Sequence, residues 1–134
     1  MKYFVTGATG FLGGEIVRQL AKSGHEVRAL VRDPQKAQWM GQLGVRQFRG
    51  DVTDKESMRE AMTGVDGLFH VAGWYKLVER VKGEAYAINV VGTKNVLELM
   101  RELHIPQGVY TSTCGIYSNT GGRTVDESYR FSGA

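Results

Sequence analysis

The sequence predicts an α/β fold, a doubly wound parallel sheet with strand order 3-2-1-4-5, formed as one domain over residues 1–134. Three observations predict it. Short apolar runs alternate with longer amphipathic stretches, the pattern of parallel strands joined by right-handed crossovers. The first run passes directly into a glycine turn that opens a helix. Breakers such as Gly24, Asp33-Pro34 and Pro106 fall between the runs.

In chain order, Lys2 to Thr6 reads as strand 1. An amphipathic helix follows, with apolar positions at Phe11, Leu12, Ile16, Val17, Leu20 and Ala21, and Gly24 stops it. His25 to Arg32 is strand 2, ended by Asp33-Pro34, and residues 35–43 suit a short helix. Val45 to Gly50 is strand 3. Thr53 or Asp54 caps a helix running to Met62, with Glu56 in its first turn. Gly67 to Ala72 is strand 4. Periodicity predicts a long helix from about Val81 to Leu103, with Ile88, Val91, Leu99 and Leu103 among its apolar positions. Gly108 to Thr113 is strand 5, and Ile116 to Ala134 reads as loop.

The glycine turn carries most of the functional information. Gly7, Gly10 and Gly13 stand between a buried strand and a helix, where a helix N-terminus is presented to a pyrophosphate. Gly7 allows a tight turn, Gly10 lets backbone approach phosphate, and Gly13 lets helix and strand pack closely. At the end of strand 2, where NAD-binding versions of this fold place an acidic residue, stands Arg32. A guanidinium suits a 2′-phosphate and stacks on adenine, so NADP is favoured. Asp33 keeps NAD open as the alternative. Glu26 lies at the wrong end of its strand to serve.

Composition narrows the classes. The 17 basic and 14 acidic residues give a net charge of +3 with no basic block, which argues against nucleic acid or a membrane surface as partner. No apolar stretch approaches transmembrane length. The single cysteine, Cys114, excludes an internal disulfide, fits a cytoplasmic setting and is expected to be a buried bystander.

Thr6-Gly7-Ala8-Thr9-Gly10-Phe11-Leu12-Gly13 resembles the cofactor motif of the extended short-chain dehydrogenase/reductases, which include nucleotide-sugar epimerases, dehydratases and dihydroflavonol reductases. The resemblance implies a Rossmann-type fold and runs on to the end of the chain. Val27 to Pro34 resembles the dihydroflavonol-reductase segment whose arginine, here Arg32, faces the NADP phosphate. Asp51-Val52 resembles the pair that contacts adenine, although Asp51 also suits a turn or helix cap. His70-Val71-Ala72-Gly73 resembles the strand-4 motif in which Ala72 and Gly73 let the cofactor lie against the backbone. His70 itself is expected to pack in the sheet.

Asn89 matches the family's mid-helix asparagine, which kinks its helix and organises a proton-relay water. Aligning on Ile116-Tyr117 gives Thr113 the carbonyl-polarising role, with Ser112 as the alternative. The family's mechanism also needs Tyr-x-x-x-Lys, in which the lysine lowers the tyrosine pKa. None of the six tyrosines has a lysine four residues on. Val125 to Ser128 resembles the loop that precedes the missing tyrosine. The resemblance therefore implies the NADP(H)-binding portion of an oxidoreductase, catalytically incomplete by itself, whose small-molecule substrate is bound by the complete protein. Self-association through strand 5 and helix residues such as Val91, Leu99 and Leu103 is expected. A non-catalytic dinucleotide sensor and a structural or engineered fragment are the alternatives.

Overall fold

The computed structural model describes residues 1–75, 82–117 and 119–130. Five parallel strands form one sheet: β1 Lys2–Thr6, β2 Glu26–Val31, β3 Arg46–Arg49, β4 Gly67–His70 and β5 Gly108–Tyr110, in the order β3-β2-β1-β4-β5. Strand order and parallel pairing are those predicted. Alternation along the strands divides the core between two faces. Phe4, Leu30 and Leu68 pack with α2 (Glu56–Met62) and α4 (Thr93–Glu102) on one side. Val5, Ala29 and Val31 pack with α1 (Phe11–Lys22) and a 3₁₀ helix, Pro34–Leu43, on the other.

Several elements differ from expectation for local reasons. The 35–43 segment is 3₁₀, because Pro34 starts it, Asp33 Oδ1 accepts from the Gln35 N–H at 3.0 Å, and Ala37 and Met40 bury at three-residue spacing. α2 begins at Glu56, and Asp54 Oδ1 rather than Thr53 accepts from a first-turn amide, that of Ser57. β4 stops at His70, since the next two amides donate to a side chain instead of a neighbouring strand.

The expected start of the long helix at Val81 lies outside the described residues. The described part runs from α3 (Glu84–Tyr86) through a π-helical segment, Ala87–Gly92, into α4. Leu99 is fully buried and Leu103 packs on the core, so neither belongs to an uncovered face; Val90, Val91 and Leu97 are exposed instead. Val96, Leu99 and Leu103 recur at helical spacing on the core side, and Val90 and Leu97 share another stripe. β5 ends at Tyr110, short of Thr113, and Cys114 lies exposed in a 3₁₀ turn, Cys114–Tyr117. The expected burial of Cys114 fails because the chain has left the sheet before reaching it.

Candidate dinucleotide cleft

β1 stands where the strand order switches direction, between β2 and β4, and the space beyond the carboxyl ends of the strands is a cleft of about 850 Å³. Its floor is the β1–α1 turn. Gly7 adopts φ +68°, and a Cβ there would lie 2.7 Å from the Ala72 nitrogen and 2.8 Å from the Val71 carbonyl carbon. A Cβ on Gly13 would run into the Gly7 carbonyl oxygen and lie 2.7 Å from its carbon. Turn, helix and β4 loop therefore meet backbone to backbone.

Gly10 is the N-cap of α1, extended at φ −83° and ψ 176°, with no side-chain cap and no acidic residue in the first turn. The first amides of α1 thus face the cleft without a side-chain acceptor, as an anion site requires. Thr9, Phe11 and Leu12 line the same edge, Phe11 fully exposed. Ala8 does not line it: its side chain is fully buried against the core.

Arg32 and Asp51 stand together at one end of the cleft. The guanidinium Nη1 lies 3.9 Å from Asp51 Oδ2, and the Arg32 side chain is 72% exposed. Asp51 Oδ1 accepts from both the amide and the hydroxyl of Thr53, at 2.9 and 2.8 Å, so its turn role coexists with a place in the cleft wall. Asp33 caps its 3₁₀ helix and ion-pairs with Lys36 at 3.9 Å, outside the cleft lining. Glu26 pairs with Lys2 and Arg28 at the opposite end of the sheet. Val52 is buried beneath Gly92, and its carbonyl accepts from Asn95 Nδ2 at 2.9 Å.

Ala72, Gly73, Asn89, Ser112 and Thr113 line the other end. Asn89 sits within the π segment, which is the helix irregularity expected of it. Its side chain is engaged at both atoms: Oδ1 accepts from the Trp74 N–H at 2.7 Å, and Nδ2 donates to the Trp74 carbonyl at 3.0 Å. It clamps the loop after β4. Thr113 Oγ1 accepts from the Gly115 N–H at 3.1 Å, which leaves its own proton to be donated.

The motifs gave no role to Thr6. Its hydroxyl, fully buried, meets Nδ1 of His70 at 2.7 Å and the amides of Val71 and Ala72 at 3.1 Å each. His70 Nε2 meets Thr93 Oγ1 at 3.0 Å, and Tyr110 stacks on the imidazole with centroids 5.5 Å apart. His70 is packed in the sheet as expected, and burial pushes its pKa down to about 4. These partners lie 64 and 23 positions apart, and no local sequence signal connects them. Among the described residues no cluster of His, Cys, Asp and Glu could hold a metal, and no helix is long and apolar enough to cross a membrane.

Comparison with known proteins fits this geometry. Residues 3–132 match the model of the NAD dependent epimerase/dehydratase family. A putative dihydroflavonol 4-reductase of Synechocystis sp. is 39% identical over 96% of this chain and 37% of its own length. A 2-alkyl-3-oxoalkanoate reductase of Stenotrophomonas maltophilia is 38% identical over 84% of this chain and 33% of its own. Among solved structures, the UDP-glucose 4-epimerase of Thermus thermophilus in complex with NAD superposes with a TM-score of 0.79 at 30% identity, covering 96% of this chain and 43% of that one. The chain thus spans little more than a third of the length of these two reductases. A Rossmann-type sheet, a glycine turn packed backbone to backbone and a match along nearly the whole sequence agree: the chain belongs to the NAD-dependent epimerase/dehydratase family.

Proposed function

We propose that this chain binds NADP(H) in the cleft and is the cofactor-holding part of a carbonyl reductase of the dihydroflavonol type. The observation that carries the proposal is the glycine turn, whose Cβ-free positions lie under the uncapped start of α1 with Arg32 across the cleft. The fit is chemical. Amides at a helix N-terminus take a pyrophosphate, and an exposed guanidinium takes a 2′-phosphate. Asp33, the residue that would favour a bare ribose, is occupied as a cap. On this reading Asp51 and Val52, in the cleft lining, meet the adenine end, and Ala72 and Gly73 the nicotinamide half.

When bound, the dinucleotide supplies the hydride. Thr113, its oxygen already accepting from Gly115, would donate a hydrogen bond that polarises the substrate carbonyl. Asn89 holds the loop beneath. The proton transfer needs a Tyr-x-x-x-Lys pair, which these 134 residues do not contain. The reductase reading stands ahead of the epimerase one because the matched reductases are 39% and 38% identical, against 30% for the epimerase. A cytoplasmic setting accords with one unpaired cysteine.

The test is calorimetry with NADPH and NADH, followed by an assay for ketone reduction. Saturable binding of NADPH tighter than NADH, with no turnover by the chain alone, is expected. Failure to bind either nucleotide refutes the proposal. Turnover that Thr113→Ala abolishes would reveal a proton donor among these residues and refute catalytic incompleteness.

A further inference from the structure

The buried bridge between β1, β4 and α4 has a proton count that admits one arrangement. A threonine hydroxyl has one proton to donate and two lone pairs to accept with. On Thr6 both lone pairs are taken, by the amides of Val71 and Ala72. Its proton must go to the third neighbour, Nδ1 of His70. Nδ1 is then bare, so the imidazole is neutral with its proton on Nε2, donated to Thr93 Oγ1.

We propose that Thr6 is a positioning residue for the dinucleotide, and that His70, held as the Nε2–H tautomer between Thr6 and Thr93, is what frees both Thr6 lone pairs to fix the Val71–Ala72 backbone. The inference rests on the cleft being a dinucleotide site. Its reach follows from placement. Thr6 pairs with His70 across the sheet and immediately precedes Gly7, whose α-carbon faces the same Val71–Ala72 peptide. One hydroxyl therefore ties the turn that would meet the pyrophosphate to the loop that would lie under the nicotinamide half. Thr93, at the other end of the bridge, begins α4 directly after the π segment, and Asn89 within that segment clamps Trp74 further along the same loop.

Protonating His70 would set an Nδ1–H against Thr6 Oγ1 as a third donor facing two lone pairs, and one loop amide would lose its acceptor. The burial that lowers the His70 pKa opposes this. No ionic partner contributes to that shift. Tyr110, stacked on the ring, is an aromatic face rather than a charge.

The experiment uses the 134-residue chain. Long-range ¹H–¹⁵N correlation near neutral pH reads the His70 tautomer, amide exchange reads the Val71 and Ala72 protons, and fluorescence titration reads NADPH affinity. The expected result is an Nε2–H signature and slow exchange at both amides in the wild type. Thr6→Val, which keeps the shape and removes the hydroxyl, is expected to speed exchange at those two amides and weaken NADPH about tenfold, while Thr6→Ser restores both. An Nδ1–H or charged His70, or a Thr6→Val protein with unchanged exchange, overturns the inference. Should Thr6→Val fail to fold, the wild-type tautomer and Thr6→Ser exchange decide it. A wild type that shows the tautomer and the protection yet binds no NADPH refutes the dinucleotide reading, and the positioning role with it. Binding with the wrong tautomer refutes the bridge alone.

Discussion

Gly13→Ala and Gly10→Val separate the two uses of the glycine turn. At Gly13 a single methyl would occupy the space of the Gly7 carbonyl, with the Gly7 carbon at 2.7 Å and the Ala8 nitrogen at 3.1 Å. All three atoms are backbone, so no side chain can swing aside, and the helix start must move by roughly 1 Å to regain ordinary contact. Overpacking of this kind costs about 1–3 kcal/mol, and rigid neighbours put Gly13→Ala at the upper end. Against a stability of about 5–15 kcal/mol for such a domain, the melting temperature should fall by roughly 10 °C.

At Gly10 the only close atom among the described residues is the Gly7 oxygen, 3.2 Å away, and the extended backbone accepts any residue. Gly10→Val should therefore cost no more than about 1 kcal/mol of stability, in line with a weaker N-cap. Its side chain would instead stand in front of the α1 amides, and NADPH binding should be lost. Thermal melts followed by circular dichroism, with calorimetry on the same samples, read both effects. A Gly13→Ala protein that melts with the wild type would refute the packing argument. Wild-type affinity in Gly10→Val would refute the phosphate site.

Arg32→Ala should weaken NADPH by about 1–2 kcal/mol, a modest loss because the side chain is largely exposed, and leave NADH unchanged; equal losses in parallel titrations would assign Arg32 to stacking or support. His70 makes stability fall on acidification. Its pKa drops from 6.5 unfolded to about 4 folded, so the native state binds fewer protons in that window, and stability declines from about pH 6.5 to pH 4 and then levels off. The full effect is of order 3 kcal/mol. Urea unfolding of wild type and His70→Phe across that window checks it, and a slope that the variant retains would rule His70 out as its source. Self-association through β5 and the helix stripe is expected, since Val109, Tyr110, Val90 and Leu97 are all about half exposed; a monodisperse monomer in concentrated light-scattering runs would count against it.

Much of this molecule is legible in the sequence because its strongest signals are local. Gly7 to Gly13 announces strand, turn and helix within seven residues, and the alternation of runs predicts parallel strands joined by right-handed crossovers. The order 3-2-1-4-5 comes from the Rossmann pattern that the glycine turn signals. Most of the cleft lining is legible for the same reason, since Gly7, Arg32, Asp51, Ala72 and Thr113 follow the carboxyl ends of their strands, whereas Asn89 comes from a helix. What periodicity misses is register. Leu99 and Val91 look equivalent as apolar helix positions, but Val91 lies within the π segment, Ala87–Gly92, and the pattern does not announce that segment. Hydroxyl and β-branched residues continue past Tyr110, so the sequence extends strand 5 to Thr113 and expects Cys114 to be buried at its end, while the sheet ends where pairing with β4 ends. The Thr6 bridge was hidden because its partners come from three separate elements.

The π segment also makes the long helix sensitive to the count of its residues as well as to their identity. Each helical residue advances about 100° around the axis, and a π turn accommodates one residue more than an α turn. Deleting one residue between Asn89 and Thr93 would let the helix relax to regular α geometry, with every surviving side chain chemically intact. The turns on either side would stay in phase, and the change would fall on the residues of the wide turn itself. Val96 and Leu99 would keep their places in the core, while Asn89 would shift against Trp74. A change of length here therefore reaches the loop clamp without disturbing the buried stripe.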